Sequence, residues 1–356
     1  MNALLKNIEH KINSGERLTR DDGIALYNCR DIIEIGRLAN IVRQKKHGDI
    51  AYYTVNSHIN HTNICVNNCR FCAFSREKGE EGAYEMHIDQ VLESANDGYD
   101  EFHIVGGCHP DFPYEYYSDI ISKLKSKYPK TLIQAFTAVE IDHIAKLKNL
   151  TIEEALNDLK SVGLDSLPGG GAEVFSDRIR KELFEKKIPA DRWLEIHGVA
   201  HKNNIPTNAT MLYGHIEIPE EKVDHLIRLR DQQDKTGGFL AFIPLAFHPQ
   251  NTKLDTLANT SGYEDLRELA ISRLMLDNFP HIKAFWIMIG EKLSQVSLWF
   301  GVDDVDGTVE EEKITHMAGA KTPKKLAEER LRNLIKKAGF KPVRRDTLYN
   351  IIDVND

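Results

Sequence analysis

The chain has 356 residues, of which 41% are hydrophobic and 28% are charged, a composition typical of a soluble globular protein. Its formal net charge of -8 argues against a nucleic-acid partner, because binding to a phosphate backbone requires concentrated lysine and arginine. The longest apolar run is far too short to span a bilayer, and the charged N-terminus lacks a secretory signal. Together these features predict a cytoplasmic protein without a membrane partner.

The first fifty residues are predicted to be helical. Apolar spacing indicates helices over 2–13 and 31–46, and between them a second helix is opened by the cap Thr19. We expect these helices to form an N-terminal extension, residues 1–50, that packs on the outside of the following domain. Cys29 lies between two of the helices and is interpreted as a small buried side chain.

From residue 51 onward, short β-rich runs alternate with amphipathic helices. The predicted strands cover 51–56, 58–63, 101–105, 131–136, 164–167, 206–211, 238–243 and 282–288. The predicted helices cover 88–96, 114–127, 152–161, 191–203, 220–234 and 263–278. Strand, helix and strand at intervals near thirty residues are typical of parallel βαβ units. The sequence therefore predicts an α/β fold, a parallel (β/α) barrel of the TIM type in its complete eightfold form.

The predicted barrel core spans residues 51–305. A C-terminal segment, 306–356, is expected to pack on the barrel and close one side of it. Within this segment a helix is predicted over 323–338, because a proline begins it and Gly339 ends it.

Three cysteines lie close together in the first loop of the barrel, at Cys65, Cys69 and Cys72. Spacings of four and three residues allow one loop to turn three thiolates toward a common point. This geometry suits three irons of a cubane iron–sulfur cluster and leaves the fourth iron without a protein ligand. A zinc site would need a distant fourth ligand, and three unrelated core cysteines would rarely crowd together in this way. We predict a metal centre, and favour the cluster over zinc.

Unusual residues also follow the other predicted strands. Because the carboxyl ends of parallel strands meet at one rim, where the active sites of barrels are built, these residues are expected to lie near the cysteine loop. In chain order they are Gly106 and Gly107, Glu140, the stretch 169–173, Tyr213 and His248.

The spacing CX3CX2C, with the aromatic Phe71 before the third cysteine, resembles the radical S-adenosylmethionine (SAM) superfamily. Within it, the chain is similar to the aminofutalosine synthases of the futalosine route to menaquinone. The matching stretches are 58–65, 104–110, 167–173, 207–215, 242–252 and 306–320. Several are shared in part with the sister cyclases of the same pathway and with deazaflavin synthases. The last two stretches favour the synthases.

The resemblance implies a [4Fe-4S] cluster bound by Cys65, Cys69 and Cys72, whose open iron takes the amino and carboxylate groups of SAM. It further implies a transferase that consumes SAM and joins its deoxyadenosyl part to a small-molecule substrate, 3-[(1-carboxyvinyl)oxy]benzoate, giving aminofutalosine. An external electron donor such as flavodoxin or ferredoxin would reduce the cluster. Two alternatives stay open: the sister cyclase, which acts on dehypoxanthine futalosine, and an iron–sulfur electron carrier without a substrate.

Four residues are predicted to contact the polar groups of SAM. Gly106 and Gly107 leave main-chain carbonyls open to a ligand ammonium, although a glycine pair after a strand is also an ordinary tight turn. Glu140 and Glu173 are placed to accept hydrogen bonds from ribose hydroxyls or the ammonium. For both carboxylates the plain alternative is a solvated surface charge, which their apolar and glycine-rich surroundings disfavour.

Two aromatic residues and three histidines complete the predicted site. Phe71 and Tyr213 are expected to flank the adenine, with a core aromatic as the alternative for each. His61, His215 and His248 border strand ends and are candidates to donate to the two carboxylates of the implied substrate.

Overall fold

The computed structural model describes residues 3–354. It begins with three helices, α1 (Ala3–Ser14), α2 (Arg20–Asn28) and α3 (Ile32–His47). Helix α2 starts with a capping box, in which the Thr19 side chain accepts from Asp22 N and the Asp22 carboxylate accepts from Thr19 N. These caps satisfy the free amides of the first turn, so the helix begins at the position that the sequence indicates.

Strands and helices alternate through the rest of the chain. The strands are β1 (Ile50–Thr54), β2 (Asn56–Ile59), β3 (Glu101–Ile104), β4 (Leu132–Ala135), β5 (Thr207–Tyr213), β6 (Phe239–Ala246), β7 (His281–Ile282), β8 (Asp304–Gly307), β9 (Lys341–Arg345) and β10 (Ile351–Val354). The helices are α4 (Ile88–Glu93), α5 (Tyr114–Lys127), α6 (Ala138–Leu147), α7 (Ile152–Ser161), α8 (Asp177–Leu183), α9 (Ala190–Lys202), α10 (Pro219–Thr236), α11 (Gly262–Met275), α12 (Trp286–Ile289), α13 (Glu291–Ser297), α14 (Ile314–Met317) and α15 (Glu328–Lys337).

The strands form three sheets, with the orders β2-β3-β4, β5-β6-β7 and β10-β9-β1-β8. All neighbouring strands run parallel except β9 and β10. Single parallel bridges connect the sheets, and they pair Gln134 with Ser166, Leu167 with Thr207, Lys283 with Asp304, and Ser57 with Glu310. The arrangement is a TIM-like barrel of parallel strands and outer helices. Its complete eightfold form stays a prediction, because isolated bridges and a few main-chain hydrogen bonds, rather than continuous strand pairing, join the three sheets.

Four strand predictions need correction. The predicted strand 58–63 is shifted, since β2 begins at Asn56 and ends at Ile59. The predicted strand 51–56 ends at Thr54, and β1 pairs with β8 and β9 rather than with β2. The predicted strand 282–288 ends at Ile282, because fully buried Trp286 begins helix α12 and donates its indole N–H to Gly307 O at 2.8 Å. Residues 164–167 contribute only single bridges.

The two faces of the barrel strands differ in character. Phe102 on β3 points outward, is fully buried and lies edge-on to Tyr128 at a centroid distance of 5.3 Å. Its neighbour His103 points inward, since successive side chains of a strand alternate between faces.

No helix within residues 3–354 combines the length and the apolar character that a membrane crossing requires.

The C-terminal segment returns to the start of the barrel. Strand β9 runs parallel to β1, with Ile50 opposite Lys341. Helix α15 begins at Glu328, five residues later than Pro323, where the sequence predicts a start.

Candidate functional site

A cavity of about 320 Å³ lies at the carboxyl ends of the strands, within the usual size range of small-molecule sites. Most of the residues predicted from the sequence line it: Cys65, Cys69, Phe71, Cys72, Gly106, Gly107, Glu140, Glu173 and His248. His61, Tyr213 and His215 are absent from its walls. The rim predicted from the strand order therefore exists, and it gathers loops that are far apart in sequence.

The cysteine loop is held in shape by its own main chain. Cys65 N donates to Arg76 O at 3.0 Å, and Arg76 N donates to Asn63 O at 2.8 Å, so the two ends of the loop are tied together. Inside this frame, Cys72 N donates to Cys69 O at 3.1 Å, which forms a tight turn between the second and third cysteines. All three thiols consequently face the same cavity.

The environment of the three thiols differs. A hydrogen bond with the Cys108 thiol lowers the pKa of Cys65 to about 5, although burial acts in the opposite direction. Burial raises the pKa of Cys69 to about 12 and also raises that of Cys72. Metal ligation requires thiolates, and a bound iron centre supplies the positive charge that removes protons from buried thiols. The donor set therefore fits an iron–sulfur cluster.

The spacing of the sulfur atoms disfavours zinc. Within residues 3–354, one group of three potential ligands has all its ligand atoms within 4.8 Å of one another, and it consists of His47, His281 and Asp303. The three cysteine sulfurs are not all within 4.8 Å of one another. Thiolates bound to a single zinc would be, because each zinc–sulfur bond is about 2.3 Å long. A cubane cluster holds its ligands farther apart. The histidine group is also a poor metal site, because Arg273 forms an ion pair with the Asp303 carboxylate.

The glycine pair allows the β3 loop to approach the cysteine loop. A Cβ on Gly107 would lie 2.2 Å from Ile64 O, and a Cβ on Gly106 would lie 2.6 Å from His61 Nε2. Gly107 N also donates to Thr62 O at 2.9 Å. Close packing thus accounts for both glycines, while SAM contact through their main chain stays a prediction.

Glu140 has three protein donors. Its Oε2 accepts from Thr137 N at 2.8 Å and from Thr137 Oγ1 at 2.7 Å, which forms the capping box of α6. Its Oε1 accepts from Gly106 N at 2.9 Å. The carboxylate therefore fixes the glycine loop relative to α6, and a contact with SAM would be an addition to this positioning role.

Lys187 is a site residue that the sequence analysis missed. Its ammonium forms an ion pair with Glu173 and lies 5.2 Å from the centroid of the Phe71 ring. Burial lowers the pKa of Lys187, but Glu173 and the cysteines outweigh this and raise it, so the ammonium stays charged. Its neighbour Lys186 is an ordinary exposed lysine, and no local sequence signal distinguishes the two.

Three predicted site residues lie behind the cavity wall. Tyr213 donates its hydroxyl to Asp265 on α11 at 2.8 Å, because strand alternation turns Leu212 toward the cavity instead. His215 is used locally, since its Nε2 donates to Leu212 O at 3.0 Å. His61 is fully buried beneath Gly106. The predicted ligand contacts of these side chains are therefore not supported by their positions.

His248 does reach the cavity. Its Nε2 donates to Met288 O at 2.9 Å, while its buried Nδ1 has no hydrogen-bond partner in the described residues. A free nitrogen of this kind is available to a ligand.

Polar side chains that the sequence analysis did not single out line the deeper part of the cavity. We call this set the polar ring, and it comprises His58, His103, Gln134, Asn208, Lys283 and Asp306. Between the polar ring and the cysteine loop the wall is mostly apolar, with Leu212, Ile243, Leu245 and Phe247. The cavity can therefore hold a ligand with a polar group at each end and an apolar middle.

Comparisons with known proteins agree with this site. Residues 59–230 match the model of the radical SAM superfamily, and residues 236–356 match the CofH/MqnC C-terminal region. The methylornithine synthase PylB has a similar crystal structure, with a TM-score of 0.75 and 17% sequence identity over 95% of this chain and 97% of that one. At this identity the likeness concerns the fold alone.

Curated relatives match nearly the whole chain. An aminodeoxyfutalosine synthase of Thermus thermophilus is 48% identical, covering 98% of this chain and 96% of its own length. A 5-amino-6-(D-ribitylamino)uracil–L-tyrosine 4-hydroxyphenyl transferase of Methanopyrus kandleri is 39% identical, covering 94% of each chain. A cyclic dehypoxanthine futalosine synthase of Streptomyces coelicolor is 35% identical, covering 99% of this chain and 90% of its own length.

Proposed function

Since this chain belongs to the radical SAM superfamily, we propose that it adds the 5'-deoxyadenosyl radical of SAM to 3-[(1-carboxyvinyl)oxy]benzoate and forms 6-amino-6-deoxyfutalosine for menaquinone biosynthesis. Membership makes it an enzyme with a [4Fe-4S] cluster and SAM as cofactors. When bound, the cluster supplies the electron that cleaves SAM to methionine and the deoxyadenosyl radical.

One observation carries the choice among related reactions. The chain is 48% identical to the synthase, against 39% to the hydroxyphenyl transferase and 35% to the cyclase. All three comparisons cover at least 94% of this chain, so the difference does not arise from unequal coverage. This order supports the synthase reaction over those of its relatives.

The residues of this chain divide the work between binding and positioning. We assign Cys65, Cys69 and Cys72 as cluster ligands, with Lys187 and Glu173 beside them at the SAM end of the cavity. With SAM and substrate bound, the apolar middle of the cavity would exclude water and would position the alkene of the substrate. Such positioning matters because a misplacement of about 1 Å diverts a reaction of this type.

The proposed reaction also requires an electron donor and a reducing compartment. An external one-electron donor such as flavodoxin or ferredoxin reduces the cluster, and the protein works in the cytoplasm, where thiols stay reduced; all five cysteines are free thiols. The three segments predicted from the sequence, 1–50, 51–305 and 306–356, are proposed as helical extension, barrel core and C-terminal segment.

The proposed reaction is tested with SAM that carries an isotope label in the adenine. Reconstituted protein is incubated anaerobically with reductant, labelled SAM and the benzoate substrate, and the products are analysed by mass spectrometry. The label is expected in the coupled product, with one methionine released per turnover.

Two other results would contradict this reaction. Label found only in free 5'-deoxyadenosine, with dehypoxanthine futalosine consumed when it is offered, would assign the chain to the cyclases. Absence of SAM cleavage with an intact, reducible cluster would indicate an electron carrier.

A further inference from the structure

The polar ring lies inside the barrel rather than in its loops. His58 on β2 is in register with His103 on β3, and His103 is in register with Gln134 on β4. The interior of a parallel barrel is normally filled by branched apolar side chains. Packing therefore does not explain a set of polar side chains that lines a cavity at this level.

Several polar atoms of the ring have unused hydrogen-bonding capacity. His58 makes no side-chain hydrogen bond in the described residues; its ring is stacked on His103 at 4.5 Å and lies parallel to Phe285 at 6.3 Å. Lys283 Nζ lies 3.1 Å from Asp306 Oδ1, which uses one of its three donors. Buried Asn208 Oδ1 has no hydrogen-bond partner in the part of the chain that the structure describes; as an acceptor it is open to a donor group of a ligand and not to its carboxylate. Unsatisfied polar atoms on a cavity wall indicate a ligand that completes them.

The charges around the ring leave Lys283 available to an anion. Below it, Asp304 is neutralised by Arg345, whose Nε lies 2.8 Å from the carboxylate. Burial raises the pKa of Asp306, and Asp304 and Glu101 act in the same direction against Lys283. Asp306 occupies one ammonium donor of Lys283, and within the described residues the other two donors have no hydrogen-bond partner on this cavity wall.

Glu101 and the histidines complete the electrostatic picture. The Glu101 carboxylate accepts from Thr347 Oγ1 at 2.6 Å and lies 3.6 Å from His103 Nδ1, so its charge is already shared. His103 Nδ1 lies 3.0 Å from Gln134 Oε1 and therefore carries the proton that it donates there. Burial lowers the pKa of His58, which keeps its ring neutral, with one N–H to give.

We infer that the polar ring is the subsite for a carboxylate of an aromatic acid, bound by the ammonium of Lys283 and the imidazole N–H of His58, with Phe285 beside the aromatic ring. The inference rests on the proposed function, whose substrate carries two carboxylates. It replaces His61 and His215 as carboxylate donors and places the acid at the end of the cavity away from the cysteine loop.

The inference is tested by binding rather than by turnover. The cluster-reconstituted protein is titrated anaerobically with isophthalate, an aromatic dicarboxylate, and with the neutral isophthalamide, by isothermal calorimetry. Lys283→Met removes the charge at similar length, and His58→Phe keeps the ring but removes the N–H. Lys325→Met is the matched control, because Lys325 also pairs with a carboxylate, that of Glu310 at 2.8 Å, but on the surface.

Isophthalate affinity is expected to fall roughly 10- to 100-fold in Lys283→Met and several-fold in His58→Phe, since charge-assisted hydrogen bonds are lost. Isophthalamide affinity and SAM affinity should stay unchanged in both variants, and Lys325→Met should behave as wild type. Unchanged isophthalate affinity in a folded Lys283→Met or His58→Phe protein would overturn the inference, as would wild-type protein that does not bind isophthalate.

The inference and the proposed function fail separately. Loss of isophthalate binding in Lys283→Met together with no coupled product from wild type would keep the acid subsite and reject the synthase reaction. Coupled product from wild type, together with unchanged isophthalate affinity in Lys283→Met, would support the synthase reaction and reject the acid subsite. A fall in SAM affinity in Lys283→Met would place this lysine at the SAM end and overturn the inference.

Discussion

Five free cysteines occur in the chain, and the surroundings of the three proposed cluster ligands differ from those of the other two. Cys65, Cys69 and Cys72 share one loop tied by its own main chain, whereas Cys108 reaches the same cavity from the loop after β3. Cys108 is buried beside Cys65 and accepts a hydrogen bond from Asn67 Nδ2 at 3.4 Å, whereas Cys29 lies in the core next to α2. We therefore propose that Cys108 supports Cys65 through their hydrogen bond and does not itself bind the cluster.

Replacing any one of Cys65, Cys69 or Cys72 by alanine is expected to abolish the cluster, because three protein ligands already leave one iron open. Iron and sulfide analysis after anaerobic reconstitution measures this. Cys29→Ala and Cys108→Ala should retain a full complement of iron. A complete cluster with SAM cleavage in Cys69→Ala would show that the ligand assignment is wrong.

At the scale of elements, the segment after β8 covers part of the cavity. Glu312 and Thr315 line the wall, and the Glu312 carboxylate accepts from Thr315 N at 2.9 Å and lies 3.1 Å from His316 Nδ1. His316 Nε2 donates to Thr322 O at 3.0 Å. The protonated imidazole thus ties both ends of this covering segment.

This contact predicts a pH dependence. The hydrogen bond with Glu312 raises the pKa of His316 to about 9, with burial acting against it. Because the pKa of His316 is higher in the folded than in the unfolded protein, its protonation stabilises the folded state. This stabilisation is complete below the unfolded pKa of about 6.5 and is lost as the pH rises through about 9. The melting temperature of wild type is expected to fall across this window relative to His316→Gln.

The control for this prediction is His87→Gln, since His87 is an exposed histidine at the start of α4. Its melting temperature should follow wild type at every pH. A constant difference between wild type and His316→Gln from about pH 6 to pH 10 would mean that His316 stays neutral. Hydrogen exchange over 312–322 gives the same comparison locally.

At the scale of the whole molecule, the C-terminal segment packs against the barrel through buried polar contacts below the cavity. Arg345 is almost fully buried and pairs with fully buried Asp304 of β8, with 2.6 Å between Nη2 and Oδ2. Tyr349 donates its hydroxyl to the same carboxylate at 2.8 Å and stacks on His281 at 3.7 Å. Thr347 reaches Glu101, which lines the cavity. The end of the chain therefore completes the floor of the site.

Arg345→Met is expected to lower the free energy of unfolding by about 3–5 kcal/mol, because it leaves Asp304 buried without its cation. Urea denaturation measures the change. The double variant Arg345→Met/Asp304→Asn should recover part of the loss, since no charge is then left unpaired. The surface pair of Arg330 and Glu291 provides the control, as Arg330→Met should cost only about 0–1 kcal/mol. An equally small change in the free energy of unfolding in Arg345→Met and Arg330→Met would show that the buried pair of Arg345 and Asp304 does not stabilise the fold.

Local patterns in the sequence determined much of the architecture. Helix α5 has the predicted bounds, and the helices of the first fifty residues follow their caps and apolar spacing. The order of the strands placed the cysteine loop, the glycine pair, Glu140 and Glu173 around one cavity. These features depend on contacts between residues close in sequence, or on the general rule that parallel strands end at one rim.

Tertiary structure alone decided which side chains enter the cavity. Tyr213 faces α11 because the register of β5, which its own sequence does not reveal, decides which of its side chains point outward. Lys187 reaches the cavity wall, where it pairs with Glu173. The polar ring is likewise assembled from strands whose registration unites His58, His103 and Gln134. Sequence fixes local geometry through short-range forces, whereas these positions follow from pairings between distant segments.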